Sequence, residues 1–80
     1  MGSQVRVENP GIGIIIDSRI EYRPMLGQVF PIRRYDVDLN GQIIRDIPCG
    51  YPFHLGDAME VYEVHHLDTI LYFGLPCRGE

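Results

Sequence analysis

Alternating apolar and polar residues in the middle of the chain form two short runs, residues 35–39 and 42–47, which meet at Asn40-Gly41. A two-residue type I′ turn requires a positive φ at both central positions, which Asn tolerates and Gly adopts freely. The pattern therefore predicts a β-hairpin whose register is set by this turn. The predicted pairs are Leu39 with Gln42, Asp38 with Ile43, Val37 with Ile44, Asp36 with Arg45, and Tyr35 with Asp46.

Further alternating or apolar runs on both sides of the hairpin predict a chain built from strands. No stretch of ten residues has apolar positions at helical spacing, so we expect little helix. The predicted strands are residues 4–8, 12–22, 29–39, 42–47, 58–64 and 69–75, with Gly13 at a bulge and Pro31 at an edge. The expected turns and loops are residues 9–11, 23–28, 48–53 and 65–68, where Pro, Gly and polar residues cluster.

Five or six short strands in 80 residues predict an all-β fold. We expect a small twisted barrel or a rolled-up sheet with the Asn-Gly hairpin at its centre. Residues 1–80 are long enough for one domain, in which residues 1–3 are either native or a cloning remnant.

Three stretches of the chain resemble the strand signatures of small stand-alone SH3-like barrel proteins of bacteria and phages. They are Gly11-Ile-Gly-Ile-Ile-Ile-Asp17, the strand and turn through Asn40-Gly41, and Leu55-Gly-Asp-Ala-Met-Glu-Val61. The resemblance covers roughly residues 11–64 and implies a protein that serves in a larger bacterial or phage assembly. The long segment between Ile16 and Val29 and the additional last strand depart from this pattern, which leaves an OB-like barrel open.

Two of the predicted strands are apolar on both faces, at residues 14–16 and 70–73. A strand of a small barrel has only one inner face, so the outer apolar side chains need another cover. Each large side chain left exposed loses on the order of 1.5–3 kcal/mol of burial. We therefore predict a non-enzymatic protein-interaction or assembly module that is a homo-oligomer or has a protein partner, with Ile15, Leu71 and Phe73 as outward contact residues.

Arginines are concentrated in the first part of the chain, although the net formal charge is −4. Residues 1–34 hold five Arg and three acidic residues, whereas residues 35–80 hold two Arg and eight acidic residues. The negative charge and the lack of Lys disfavour non-specific binding to nucleic acid. Tyr22, Arg23 and Arg34 are the further candidates for partner binding, because arginines beside an aromatic ring bind phosphate, carboxylate or a base. A nucleic-acid-binding barrel that uses this surface is the first alternative function.

Metal binding has only weak support in the sequence. Asp36, Asp38 and Asn40 match the first half of a calcium-binding loop, but Ile47 stands where a bidentate carboxylate is needed. The adjacent histidines His65 and His66 lack the spacing of a zinc motif. We therefore predict no metal and no cofactor, with calcium at these three residues as the weak exception.

The sequence offers little for catalysis, and we predict no enzymatic activity. Cys49 lies in a Pro-rich loop, where a cysteine is more often a small buried hydrophobe than a nucleophile. Cys49 and Cys77 permit one disulfide, but without an export signal we expect free thiols in a cytoplasmic or virion-associated protein that has no membrane segment. A small-ligand-binding protein whose site is closed by residues 49–53 is the second alternative function.

Overall fold

The computed structural model describes residues 4–77, which form five antiparallel β-strands and contain no helix. The strands make one sheet in the order β3-β2-β1-β4-β5, and its two edge strands, β3 and β5, approach each other to form a nearly closed barrel. At this seam Cys49 Sγ donates a hydrogen bond to Gly74 O at 3.2 Å. The prediction of a small all-β barrel is confirmed, while residues 1–3 lie outside the described residues. The strands are β1 Val5–Met25, β2 Gln28–Leu39, β3 Gln42–Pro48, β4 Ala58–His66 and β5 Thr69–Pro76.

The predicted Asn-Gly hairpin joins β2 to β3. Asn40 and Gly41 have φ angles of 53° and 93°, and the three pairs nearest the turn are as predicted. Farther from the turn the prediction is wrong by one residue, because Tyr35 pairs with Ile47 instead of Asp46. The register shifts here, and Asp46 adopts a φ of 59°, as expected for a bulge that adds one residue to β3.

β1 is one continuous strand, whereas the pattern predicted two strands separated by a turn at residues 9–11. The register shifts between Glu8 and Gly11, so these residues form a bulge within the strand. Asn9 Oδ1 accepts a hydrogen bond from Gly11 N at 3.1 Å, and Gly11 has a φ of 141°. The turn prediction is wrong because a bulge and a turn use the same residue types.

A two-stranded hairpin extends from the barrel where a loop was predicted at residues 23–28. β1 continues to Met25, and Leu26 and Gly27 alone form the turn, with φ angles of 52° and 76°. β4 pairs with β1 only as far as Ile14, and β3 pairs with β2 only from Arg34 onward. Residues 20–31 are all exposed, and we call the hairpin of residues 19–34 the arm.

Tyr35 ties the long loop between β3 and β4 to the core. Its hydroxyl donates to Tyr51 O at 2.8 Å and accepts from Phe53 N at 2.9 Å. The ring of Phe53 packs edge-on against Tyr35, with centroids 5.3 Å apart. The loop thereby covers the core. The core side chains are Ile15, Tyr35, Val37, Leu39, Ile44, Ile47, Phe53, Met59 and Val61.

Candidate partner-binding surfaces

An apolar surface covers the outer side of β1, β4 and β5. Met59 and Val61 of β4 are buried in the core, so strand alternation turns Tyr62 and Val64 outward. Their cross-strand neighbours share this side, including Leu71, which is 61% exposed. We call this surface the outer face. Its side chains are Val7, Ile12, Glu60, Tyr62, Val64, Leu71, Phe73 and Leu75.

Ile15 does not belong to any outer surface, which corrects the sequence-based prediction. Its side chain is 1% exposed and lies in the core, whereas Ile14 and Ile16 are exposed on the other side of β1. A run of three isoleucines has no polar residue to mark which positions face solvent. Leu71 and Phe73, by contrast, do point outward with the rest of the outer face.

A shallow cleft of about 610 Å³ lies on the outer face, and Glu60 is the one charged residue in its lining. Tyr62 OH donates to Glu60 Oε1 at 3.3 Å, and the ring of Tyr62 stacks on Phe73 with centroids 5.0 Å apart. Burial, and next the nearby Glu60 carboxylate, raise the pKa of Tyr62. Within residues 4–77 no cation forms an ion pair with Glu60, so the cleft offers a carboxylate and an aromatic ring to a cation from outside. The lining residues are Ile12, Glu60, Tyr62, Leu75, Pro76 and Cys77.

The arm separates Tyr22 from Arg23 and Arg34, which the sequence grouped together. Tyr22 points to one side of the arm, and Arg23 points to the other side with its cross-strand partner Phe30. Arg34 Nε lies 3.2 Å from Glu21 Oε1, whereas Arg23 Nη2 lies 4.0 Å from the same oxygen. Phe30 is therefore the aromatic residue beside Arg23, and Arg23 is only loosely paired within its own chain.

Apolar side chains occupy both sides of the arm. Leu26 at its tip is 98% exposed and Tyr22 is 67% exposed. Residues 19–34 also carry four Arg against one Glu, a net charge of +3. The arm is thus both apolar and basic. Its exposed apolar side chains are Ile20, Tyr22, Met25, Leu26, Val29 and Phe30.

An ion-pair network, centred on Arg19, engages the first residue of the calcium candidate. Arg19 Nη2 lies 2.8 Å from Asp36 Oδ1, and the Asp46 backbone N–H donates to the same oxygen at 3.0 Å. Arg45 Nη1 is 3.5 Å from the other Asp36 oxygen. The hydrogen bond from Arg19 is the main cause that holds the pKa of Asp36 below its usual range, against the opposing effect of burial.

The other two calcium candidates serve the turn of the hairpin. Asp38 Oδ1 accepts a hydrogen bond from Gly41 N at 2.8 Å, and Asn40 occupies the first central position of the turn. Asp36 and Asp38 therefore make separate contacts instead of converging on one cation. The structure gives the motif a hairpin role, and calcium there stays an untested prediction.

One further group of described residues has ligand atoms close enough together for a metal ion. Ligand atoms of Glu8, Glu63 and His65 lie within 4.8 Å of one another. His65 Nε2 is 2.8 Å from Glu63 Oε1 and 3.7 Å from Glu8 Oε1, and Arg6 Nε is 2.7 Å from Glu8 Oε2. Hydrogen bonding and ion pairing account for the group, although two carboxylates and an imidazole are also ligand types that zinc accepts.

The loop predicted to close a ligand site packs onto the core. Phe53 is buried, and the pocket beside it has a volume of only about 240 Å³. Cys49 and Cys77 are free thiols. The loop therefore contributes more to the core than to a cavity.

Two features of these surfaces, the position of Glu60 in the cleft and the pairing of Arg19 with Asp36, are missing from the sequence-based predictions. Glu60 has a signal in the sequence, because the alternating run 58–64 places it on the same side as Tyr62 and Val64. Arg19 has no such signal, since its partner Asp36 is 17 residues away and is reached only through the pairing of β1 with β2.

Comparison with known proteins does not indicate a function for this chain. No protein-family model, curated protein or solved structure matches the chain. The resemblance to SH3-like barrel proteins therefore stays a prediction. Across residues 4–77 there is no helix that could cross a membrane.

Proposed function

We propose that this protein is a non-enzymatic assembly module that works by binding a second copy of itself. The observation that carries the proposal is the apolar surface of the arm and of the outer face. Side chains such as Leu26 and Leu71 are mostly exposed in the single chain. Large exposed apolar surface is typical of a protein–protein interface.

The total exposed surface of the chain is larger than that of a compact monomer of the same mass. The chain exposes 5732 Å², whereas a compact monomer of its mass, 9.2 kDa, exposes about 4,900 Å². An arm that projects from the barrel, with residues 20–31 all exposed, raises the total surface in this way. The radius of gyration, 14.1 Å, likewise exceeds the roughly 11.6 Å expected for 80 residues. Both values are those of a chain that is less compact than an average monomer of its size.

The arm itself needs support from outside the chain. An isolated two-stranded hairpin is marginally stable in water. Leu26 adopts a positive φ, which favours Asn or Gly, and its side chain is almost fully exposed. A leucine at this position costs conformational energy without an internal contact, so a contact with a partner would explain it.

A bacterial or phage assembly is the setting that we propose for this module, in the cytoplasm or on the virion. The support is the resemblance of residues 11–64 to stand-alone barrels of bacteria and phages. Self-association through the arm and the outer face is compatible with such a role.

Sedimentation velocity of two matched variants tests the proposal. Leu71→Ser removes an apolar side chain from the outer face, and Leu55→Ser removes one of similar exposure from the loop before β4. We expect Leu71→Ser to weaken self-association at least about tenfold, because it leaves apolar partner surface uncovered. Leu55→Ser should associate as the wild type does. Equal association of all three proteins would contradict a role for the outer face.

Nucleic-acid binding is a second candidate, favoured by the charge of the arm. The arm carries four arginines and the exposed rings of Tyr22 and Phe30, a combination that suits a single strand. This function predicts binding of oligonucleotides at low salt that falls steeply as salt rises and is reduced by Arg23→Ala. If fluorescence anisotropy detects no binding of single- or double-stranded oligonucleotides at low salt, this candidate is removed.

A further inference from the structure

We propose that the arm of each copy lies on the outer face of the other, with Arg23 placed at Glu60 in the cleft beside Tyr62. This inference rests on the proposed self-association and specifies its geometry. The occupant of the cleft is then a segment of a second copy of this chain.

Charge is the first argument for pairing the arm with the outer face. The arm carries a net charge of +3, whereas residues 57–77, which hold β4 and β5, carry four acidic residues and no Arg or Lys. Two arms placed together would bring like charges into contact, and so would two copies of the β4–β5 hairpin. Arm against outer face is the arrangement in which an arginine of the arm meets Glu60, the one charged side chain of the outer face.

The two individual residues at the contact are each incompletely paired in the single chain. Arg23 has Glu21 at 4.0 Å, but Arg34 lies closer to the same oxygen. Glu60 has only the neutral hydroxyl of Tyr62 as its hydrogen-bond partner among the described residues. A guanidinium in the cleft would form an ion pair with the Glu60 carboxylate and would lie against the ring of Tyr62. Phe30, the cross-strand neighbour of Arg23, would bring apolar surface to the same cleft.

Two-fold symmetry would limit the assembly to two copies. A single arm-to-face contact would leave one arm and one face uncovered at the ends, and the contact would repeat into a filament. When the two copies exchange arms reciprocally, both arms and both faces are covered in a closed dimer.

Charge exchange between the two residues tests the inference. Arg23→Glu and Glu60→Arg should each weaken dimerisation at least about tenfold, because each places like charges together at both contacts. An equimolar mixture should recover dimers, because in the mixed dimer one contact is wild type and the other has its two charges exchanged. Arg6→Glu and Asp68→Arg make the same charge changes away from the contact and should dimerise as the wild type does. Light scattering after size-exclusion chromatography measures each mass.

The outcomes separate this inference from the proposed function. If the wild type is dimeric but mixing fails to restore the dimer, the arm-to-face contact is overturned and self-association stands. If Arg23→Glu weakens the dimer and Glu60→Arg does not, the arms contact another surface, which also overturns it. A wild type that is monomeric throughout overturns both. If Glu60→Arg does not fold by circular dichroism, Glu60→Gln replaces it and should weaken the dimer and reduce its sensitivity to salt.

Discussion

At the scale of single residues, the buried carboxylate of Asp36 forms ion pairs with two arginines. Its side chain is 5% exposed and it contacts Arg19, Arg45 and the backbone of Asp46. Loss of these charge-assisted hydrogen bonds costs about 1–3 kcal/mol in a buried site. We expect Asp36→Asn to lower the free energy of unfolding by this amount at pH 7, measured by urea denaturation. Asp17→Asn is the matched control, because Asp17 contacts the same Arg19 but is mostly exposed, and it should have little effect.

Asp36 should also make the free energy of unfolding depend on pH. Arg19 holds the pKa of Asp36 below its usual range, so the unfolded chain binds the proton more readily than the folded chain does. The stability due to Asp36 is fully present above the ordinary carboxyl pKa of about 3.9 and is lost as the pH falls through the lower folded pKa. The difference between wild type and Asp36→Asn should therefore shrink in acid. A difference that stays constant down to pH values well below about 3.9 would contradict this assignment.

Gly74 on β5 leaves room for the core residue Met59. A Cβ at Gly74 would overlap both Sδ and Cγ of Met59, which is fully buried. We expect Gly74→Ala to destabilise the fold by roughly 1–3 kcal/mol through overpacking. At Gly50 nothing lies within reach of an added Cβ, so Gly50→Ala should be nearly neutral. Chemical denaturation compares the two, and equal stabilities would show that Met59 repacks without cost.

Single residues also show where sequence patterns are sufficient and where they are ambiguous. Asn40 and Gly41 determine their turn through backbone preferences alone, so the hairpin and its nearest pairs are predictable. The residue types at 9–11 suit a turn and a bulge equally, and only the pairing with β4 decides between them. The orientation of Ile15 was not predictable because its neighbours are also isoleucine. The partners Arg19 and Asp36 meet only once the sheet has formed.

At the scale of elements, the arm and the β4–β5 hairpin share an unusual turn. Leu26 and Leu67 have φ angles of 52° and 58° and are exposed at their turns. Both positions favour Asn or Gly, so a leucine there is strained. A loop was predicted at residues 23–28 because a leucine does not indicate a tight turn. Tight turns at such positions are hard to recognise from sequence.

Leu26→Asn should therefore stabilise the arm locally. Asn tolerates a positive φ, so the hairpin should open less often and its amide hydrogens should exchange more slowly. The measurement is hydrogen exchange under conditions where the chain is monomeric. Leu67→Asn, the matched variant, should slow exchange at the β4–β5 turn and leave the arm unchanged. Faster exchange in the arm of Leu26→Asn would mean that the leucine side chain holds the hairpin together.

At the scale of the whole molecule, the barrel buries its own apolar side chains in a core, whereas the arm leaves its apolar side chains exposed. The barrel has a core of nine side chains and its buried polar side-chain atoms are all hydrogen-bonded within residues 4–77. The arm has apolar residues on both sides and no third strand. That apolar side chains such as Leu71 remain on an outer surface was predictable from strands that are apolar on both faces. The arm itself was not, because it depends on which strands pair beyond Ile14.

The measurement that tests this account most directly is the mass of the wild-type protein in solution, by light scattering across the micromolar range. We predict a species of twice the 9.2 kDa chain mass that dissociates on dilution and at high salt. Salt should weaken it because Arg23 of the arm and Glu60 of the outer face carry opposite charges. A mass of one chain at every concentration would contradict the account, and the exposed surface of the arm would then belong to a stable monomer.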